Sequence, residues 1–418
     1  MIRRLRLPAV ALVLAVSPAA SAYDVATSKS GAPLHWAPGS VAFALALDPG
    51  PAEIDAATAR TVAVAAAATW QAALADSGVT VAIADGAVAA APHAADGVST
   101  VRWLVDAHDP DLEPGLLGRT FVAYTATTGE LKDADVVLDA ADFTWTSSLG
   151  GCGDEYDLQS ALTHEFGHGV GLAHAIGHPE ATMFATGDAC ESTKRDLAPD
   201  DVAGLMELYV TPAADGGGGC AAGGSLGGSS GPCLLVGAAI AAAGRRRRRR
   251  PVAAVAVVGM AMVATSVDAA QLRRLAVDEL AARAVVVVRG HVVATAVVRD
   301  PGLETDSTVV VDECLAGPCP ARLAVRRHGG ELDDDGLAVG GEAELAAGDE
   351  VVLFVRVDGH QHARVLGGVQ GLWRVDDDGL VVRDLRGHDL ATSTGWRAGE
   401  REVVSLDALR LVLRPRAR

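Results

Sequence analysis

Positive charge is scarce in this 418-residue sequence, which has 35 Lys and Arg against 53 Asp and Glu and a formal net charge of -18. That balance repels a phosphate backbone and argues against nucleic acid as a partner. Cysteine is scarce as well, with six in the chain and none before Cys152. The apolar run at 233–244 is shorter than the roughly 20 residues that span a bilayer. The chain is nevertheless long enough for two or three domains, each with its own core.

The most informative stretch reads His-Glu-Phe-Gly-His-Gly-Val-Gly-Leu-Ala-His. His164 and His168 are four residues apart, so on a helix both imidazoles project from one face and can bind one metal ion. Glu165 lies beside them, where its carboxylate can reach a water molecule on that ion. Gly171 tolerates the positive φ that turns the chain back and brings His174 as a third ligand. Three protein ligands leave the fourth position of a zinc ion open, as catalytic sites require.

This stretch resembles the metzincin metallopeptidases, because HExxHxxGxxH is followed by a methionine, Met183, within Pro-Glu-Ala-Thr-Met-Phe. HExxH alone also occurs on the solvated face of ordinary helices, but the longer pattern argues against that alternative. Within the metzincins the sequence of the motif is similar to that of the matrixin family. Ala185 stands where astacin-like and serralysin-like relatives carry a tyrosine. The resemblance covers 33–210, including a segment at 197–209 that is similar to the C-terminal helix of matrixin domains.

The resemblance implies a zinc endopeptidase that acts on proteins or peptides. His164, His168 and His174 would bind one catalytic Zn²⁺, and Glu165 would be the general base. Met183 would pack beneath the histidines without a chemical role. The alternative is a zinc-stabilised surface adhesion or binding module without proteolysis, against which the intact Glu165 argues.

The predicted fold class is α+β. A twisted mixed sheet with a long helix and an active-site helix forms a metzincin-like catalytic domain, and a small mostly-β domain, a sandwich or barrel, follows further on. The patterns predict a helix at 53–75 and strands at 40–47, 79–84, 98–105, 120–125 and 134–138. They predict further strands at 284–289, 291–298, 307–311, 321–326, 351–357 and 371–375.

Both ends of the first domain carry segments typical of export. Three arginines, an apolar run and a small-residue site at 20–22 predict a signal peptide. Glycine, alanine and serine dominate 213–232, which predicts a flexible linker. The apolar run at 233–244 and six arginines at 245–250 resemble the C-terminal sorting tails of myxobacterial surface proteins. A second apolar run at 251–264 then resembles another signal peptide.

This arrangement allows two hypotheses. Either two exported proteins are joined in one reading frame and are separated near Cys220 and Ala269, or the segment 233–264 associates with the membrane and leaves both domains on its outer side. Both hypotheses imply a secreted or cell-surface protein, and neither predicts an oligomeric state. The domain plan is a signal peptide at 1–22, a matrixin-like peptidase domain at 23–211, a Gly/Ser-rich linker at 212–232, two short apolar segments around an arginine cluster at 233–270, and a β-rich domain of unknown function at 271–418.

Export permits disulfides, and Cys152 and Cys190 bracket the zinc motif, so we expect a bridge between them, with two free buried thiols as the alternative. A local bridge between Cys314 and Cys319 is also expected. Since Cys152 is the first cysteine, latency by the cysteine switch known from matrixins is not supported.

Other candidate ligands are weaker. His93 and His108 are predicted to be solvent-exposed loop residues and not a second zinc site. His360 and His362 are predicted to lie on an exposed hairpin tip. Four acidic residues in and around the last predicted strand of the first domain form either a calcium site or, as we favour, a solvated acidic face; they are Glu130, Asp133, Asp135 and Asp139.

Overall fold

The computed structural model describes residues 23–210 and 270–413, apart from 108, 149, 151, 176, 177, 186, 301, 377, 386–388, 393, 394, 399 and 400. The predicted signal peptide, linker, arginine cluster and adjoining apolar segments lie outside the described residues, as does His108. The two described parts belong to one compact unit. Within them, no helix has the length and apolar character needed to cross a membrane.

Three helices lie in the first part: α1 (Ala56–Ala73), α2 (Leu158–Gly169) and α3 (Pro199–Tyr209). The carboxylate of Asp55 begins α1 by accepting the N–H of Thr58 at 2.7 Å. Alanine and the absence of proline keep the helix regular over the length that the sequence predicts. The fully buried indole of Trp70 donates to the Thr163 carbonyl at 2.7 Å and so fixes α1 against α2.

The first part also contains a short 3₁₀ turn (Thr193–Arg195) and seven strands: β1 (Gly39–Ala46), β2 (Val79–Ala87), β3 (Thr100–Leu104), β4 (Leu116–Thr125), β5 (Leu131–Asp139), β6 (Trp145–Thr146) and β7 (Tyr156–Asp157). The order β4-β5-β3-β1-β2 forms a mixed sheet, in which only the β4–β5 pair is antiparallel. Phe43 of β1 stacks on Phe166 of α2 with ring centroids 4.4 Å apart, so α1, α2 and the sheet enclose one core. The predicted α+β class is confirmed.

The second part contains thirteen strands, two helices and a 3₁₀ turn at Gly368–Gly371 among its described residues. The helices are α4 (Val277–Arg283) and α5 (Leu406–Leu413), which the β-type patterns do not predict. The strands are β8 (Ala270–Leu272), β9 (Val286–Arg299), β10 (Leu303–Ala316), β11 (Arg322–His328), β12 (Gly330–Leu332), β13 (Asp335–Val339), β14 (Glu350–Val357), β15 (Ala363–Val365), β16 (Leu372–Val375), β17 (Leu380–Asp384), β18 (Asp389–Thr392), β19 (Gly395–Ala398) and β20 (Arg401–Ser405).

Most of these strands form a second sheet in the order β15-β11-β10-β9-β14-β16-β17-β20. Because β15 also pairs with β14, five of the strands close into a ring around a valine-rich core. The prediction of two strands at 284–298 is wrong, since β9 runs unbroken through Gly290. A side chain at Gly290 would collide with the Val310 carbonyl of β10, so this glycine permits close strand pairing and does not mark a break.

Strand β4 joins the two parts of the chain. One of its edges pairs with β5, and the other edge pairs with β8 over Leu116–Arg119 and with β13 over Phe121–Thr125. An apolar cluster drawn from both parts lies behind this pairing; it contains Leu104, Leu112, Phe121, Ala123, Val137, Leu303, Leu337 and Val339. The predicted domain boundaries at 211 and 271 fall at or beside residues outside the description and stay predictions.

Candidate metal centre and active site

Helix α2 positions two of the predicted ligands and the predicted base. Asp157 caps its N-terminus by accepting the N–H of Ser160 at 2.8 Å, and Arg195 holds the same carboxylate by an ion pair. The helix ends where the chain turns at Gly171, whose φ is +97°. A Cβ there would collide with the Leu34 carbonyl, so both the conformation and the space require glycine. The turn brings His174 back over the helix.

The three histidines meet at their Nε2 atoms. The Nε2 of His164 lies 3.0 Å from that of His168 and 3.3 Å from that of His174. Their side chains are between 0% and 2% exposed, so the cluster is closed to solvent. The structure therefore brings together all three residues that the motif indicates.

Hydrogen bonds on the other ring nitrogen set the tautomer of two of these histidines. The Nδ1 of His164 lies 2.7 Å from the Thr182 carbonyl, and that of His168 lies 2.9 Å from the Leu172 carbonyl. Since a carbonyl only accepts, Nδ1 carries the proton and Nε2 presents a lone pair. Burial, first of all, together with the neighbouring His168 and Lys194, holds the pKa of His164 well below its usual range. Converging neutral Nε2 lone pairs at this spacing fit a zinc ion.

The loop below the cluster is fixed by α3. The carboxylate of Asp201 accepts the N–H groups of Thr182 and Met183 at 2.9 and 3.0 Å and that of Ala198 at 2.7 Å. Met183 is 2% exposed and packs so closely on Gly167 of α2 that a side chain at Gly167 would collide with its sulfur. Asp201 thus orients the carbonyl that orients His164, a role that the sequence pattern does not reveal.

Glu165 is completely buried beside the histidines. Its Oε2 accepts the hydroxyl of Thr120 on β4 at 2.7 Å, while its Oε1 has no hydrogen-bond partner in the described part of the chain. A Cβ at Gly118, also on β4, would lie 3.1 Å from Oε1, so β4 passes in contact with this carboxyl group. Burial raises the pKa of Glu165 to about 8, against the Thr120 hydrogen bond, which lowers it. Sequence reasoning missed Thr120 and Gly118, because Thr120 is 45 residues from Glu165 along the chain and Gly118 is further still.

The predicted disulfide between Cys152 and Cys190 is confirmed, with a Cα–Cα distance of 5.7 Å, and so is the bridge between Cys314 and Cys319. The first bridge ties the segment before α2 to the loop after Met183.

The prediction that His93 is exposed is wrong. It is 6% exposed and its Nδ1 lies 2.8 Å from Asp111, next to the buried His328 of the second part. Arg102 already pairs with Asp111, so a metal ion there would face a guanidinium charge. We interpret these residues as a buried ion-pair network that joins the two parts.

The predicted solvated acidic face is also wrong for three of its four members. Asp133, Asp135 and Asp139 are between 1% and 6% exposed, and only Glu130 is exposed. Asp133 accepts the N–H groups of Asp96 and Gly97, both at 3.0 Å, so its carboxylate fixes the loop before β3. Sequence alone shows the charges but not the loop that covers them. His360 is exposed and His362 half-buried in the predicted hairpin turn, between β14 and β15.

The site has the arrangement of a mononuclear zinc hydrolase: a helix and a turn bring three imidazoles together beside a buried carboxyl group. Residues 104–210 match the model of a peptidase family described as Matrixin. Among curated proteins, the chain is similar to Metalloendoproteinase 1-MMP of Arabidopsis thaliana, at 37% identity over 98 residues, which are 23% of this chain and 25% of that protein.

Two human proteins are similar to this chain over stretches of comparable length. Neutrophil collagenase of Homo sapiens is 32% identical over 88 residues, 21% of this chain and 18% of its own length. Matrix metalloproteinase-20 of Homo sapiens is 34% identical over 91 residues, 22% of this chain and 18% of its own. The chain thus spans a quarter or less of these relatives. The matches support a metalloendopeptidase.

Proposed function

We propose that this protein is a zinc-dependent endopeptidase that hydrolyses peptide bonds in proteins or peptides. The observation that carries the proposal is the convergence of the three Nε2 atoms beside the buried carboxyl group of Glu165. The family match over 104–210 supports it, as does the similarity to metalloproteinases. A calcium ion is no part of the proposal, because three of the four carboxylates considered for it, those of Asp133, Asp135 and Asp139, receive backbone N–H groups.

His164, His168 and His174 would hold the ion as neutral ligands. When bound, zinc supplies Lewis acidity toward a water molecule and the scissile carbonyl. With its carboxylate ionised, Glu165 would accept a proton from that water at Oε1 and return it to the nitrogen of the leaving amine as the C–N bond breaks. Thr120 keeps Oε2 engaged and so aims Oε1, while Asp201 and Thr182 keep His164 oriented.

The test uses the full chain with zinc and an unfolded protein as substrate, with and without a chelator. New amino termini should appear with zinc, disappear with chelator and return when zinc is restored. A chain that retains one zinc ion but produces no cleavage, even in the variants described below that expose the site, would refute the proposal.

We further propose that the protein is exported and associates with the cell surface. The amino-terminal sequence motivates this proposal, and the two disulfides are in keeping with an oxidising compartment. Membrane association through 233–264 remains part of it. Fractionation of the native source, with amino-terminal sequencing of the mature protein, tests both points; a cytoplasmic protein with Met1 retained would contradict them.

A further inference from the structure

The edge of β4 beside Glu165 is occupied by the protein's own chain. Gly118 and Thr120 of β4 both contact the Glu165 carboxyl group, so an extended peptide that is to be cut has to pass along this part of the sheet. The register places Leu272 opposite Leu116 and Ala270 opposite Arg119, on the two sides of Gly118. Strand β8 therefore fills the backbone positions that an incoming peptide would use.

The contact with β4 continues beyond β8. The N–H of Arg273 donates to the Gly115 carbonyl at 2.6 Å. A cavity of about 660 Å³ is lined on one side by Tyr156 and Asp188 and on the other by Arg273 and Val277. Behind it, Tyr156 and Asp188 also line an inner cavity of about 10 Å³ that reaches Ala161 of α2. That volume holds one water molecule and no substrate side chain.

Several contacts fasten the second part to the approach of β4. Glu113 accepts the Gly367 N–H at 2.5 Å and the Arg356 guanidinium at 2.9 Å. The buried guanidinium of Arg119 pairs with Glu342 at 2.8 Å. These contacts are largely shielded from water, so moving the second part away from β4 would leave buried charges without their partners.

We propose that the part 270–413 is an intramolecular inhibitor, and that it keeps the peptidase latent by occupying the β4 edge beside Glu165. The occupant is an extended segment of this chain, 270–273, anchored by the pairing of β13 with β4. The proposal rests on the proposed function. Activity then requires the second part to move away from the β4 edge, even when the zinc site is fully occupied.

Gly336→Val tests the proposal by opening the interface. Gly336 lies on β13 opposite Tyr124, and a side chain there would collide with the tyrosine ring. Gly379→Asn is the control of similar size, because a Cβ at Gly379 meets nothing within 4 Å and asparagine tolerates the left-handed φ of +72° at this position. Both are made in the full zinc-loaded chain. We expect kcat/KM for a short quenched peptide to rise about tenfold or more in Gly336→Val and to stay within about twofold of wild type in Gly379→Asn.

Amide hydrogen exchange gives a readout that does not depend on zinc or hydrolysis. Exchange over 113–125 should accelerate in Gly336→Val and remain slow in wild type and in the control. Faster exchange with unchanged kcat/KM would overturn the inhibitor proposal and leave the proposed function intact. No hydrolysis in any variant at full zinc occupancy would refute the proposed function, and the inhibitor with it.

A reversible lock tests the opposite direction. Thr125 and Asp335 are directly opposite in the antiparallel pair, at the spacing that accepts a disulfide. In the double variant Thr125→Cys with Asp335→Cys, kcat/KM should fall about tenfold or more on oxidation and recover on reduction. Asp335→Cys alone and reduced wild type are the references. Equal rates for the oxidised and reduced double variant would overturn the proposal even if Gly336→Val did not fold.

Discussion

At the scale of single residues, the proposed function assigns proton transfer to Glu165 and zinc binding to the three histidines. Glu165→Gln should retain about one zinc ion per chain but lose a factor of about 10² to 10⁴ in kcat, because the amide cannot take up the proton. The measurement is zinc content with peptide turnover, made in wild type and in the Gly336→Val background. Glu180→Gln, an exposed acid-to-amide change, is the control. Turnover above about a tenth of the parent rate would remove Glu165 from its role.

Asp139 gives a prediction about pH. Burial raises its pKa to about 7, despite hydrogen bonds from Asp142 and Ala141, whereas an unfolded chain has a value of about 3.9. Between these values the folded protein keeps a proton that the unfolded chain has lost, so the free energy of unfolding falls as pH rises from about 4 to about 7.

The amide side chain in Asp139→Asn cannot ionise and stays neutral at every pH in this range. The stability of Asp139→Asn relative to wild type should therefore be greater at pH 8 than at pH 5, by about 2–3 kcal/mol. Urea unfolding at both pH values measures it, and Asp142→Asn on the same turn is the control. A relative stability independent of pH would show that Asp139 is ionised in the folded protein throughout this range.

At the scale of elements, α3 holds the loop that carries Met183 and orients His164. Asp201→Asn keeps an oxygen acceptor but cannot receive all three N–H groups. We expect zinc affinity to fall about tenfold, as for other residues that orient ligands. Competition with a fluorescent chelator measures it. Asp200→Asn changes the same charge on the same turn and has no hydrogen bond to residues 182 and 183 in the described structure; an equal loss in both variants would point to charge alone.

At the scale of the whole molecule, the two parts share one sheet and one apolar cluster. A chain cut once within 212–263 should therefore remain a single complex, which gel filtration followed by denaturing electrophoresis would show as co-eluting fragments. Salt should weaken the surface pair of Lys132 and Asp335 but not the apolar contacts. Separation of the fragments in physiological buffer would contradict this and would favour two independent proteins. When Gly336→Val is cut at the same place, its two fragments should separate more readily than those of wild type.

The sequence by itself determined the features whose partners are close along the chain. The i, i+4 spacing of His164 and His168 needs only a helix, and the return of His174 needs only a glycine at position 171. The helix at 56–73 and most strands follow from local periodicity in the same way. The bridge from Cys152 to Cys190 followed from the flanking of one short segment.

Only the tertiary structure decided the contacts made across long stretches of chain. Thr120 and Gly118 reach Glu165 because β4 passes over α2, and no local pattern records which side chain a strand will face. The burial of His93 and Asp133 depends on what covers them, and the covering segments are distant or irregular. The pairing at the β4 edge could not be predicted from the sequence either. Hydrogen bonding between backbones is almost independent of side chains, so the sequences of β8 and β13 do not indicate that these strands pair with β4.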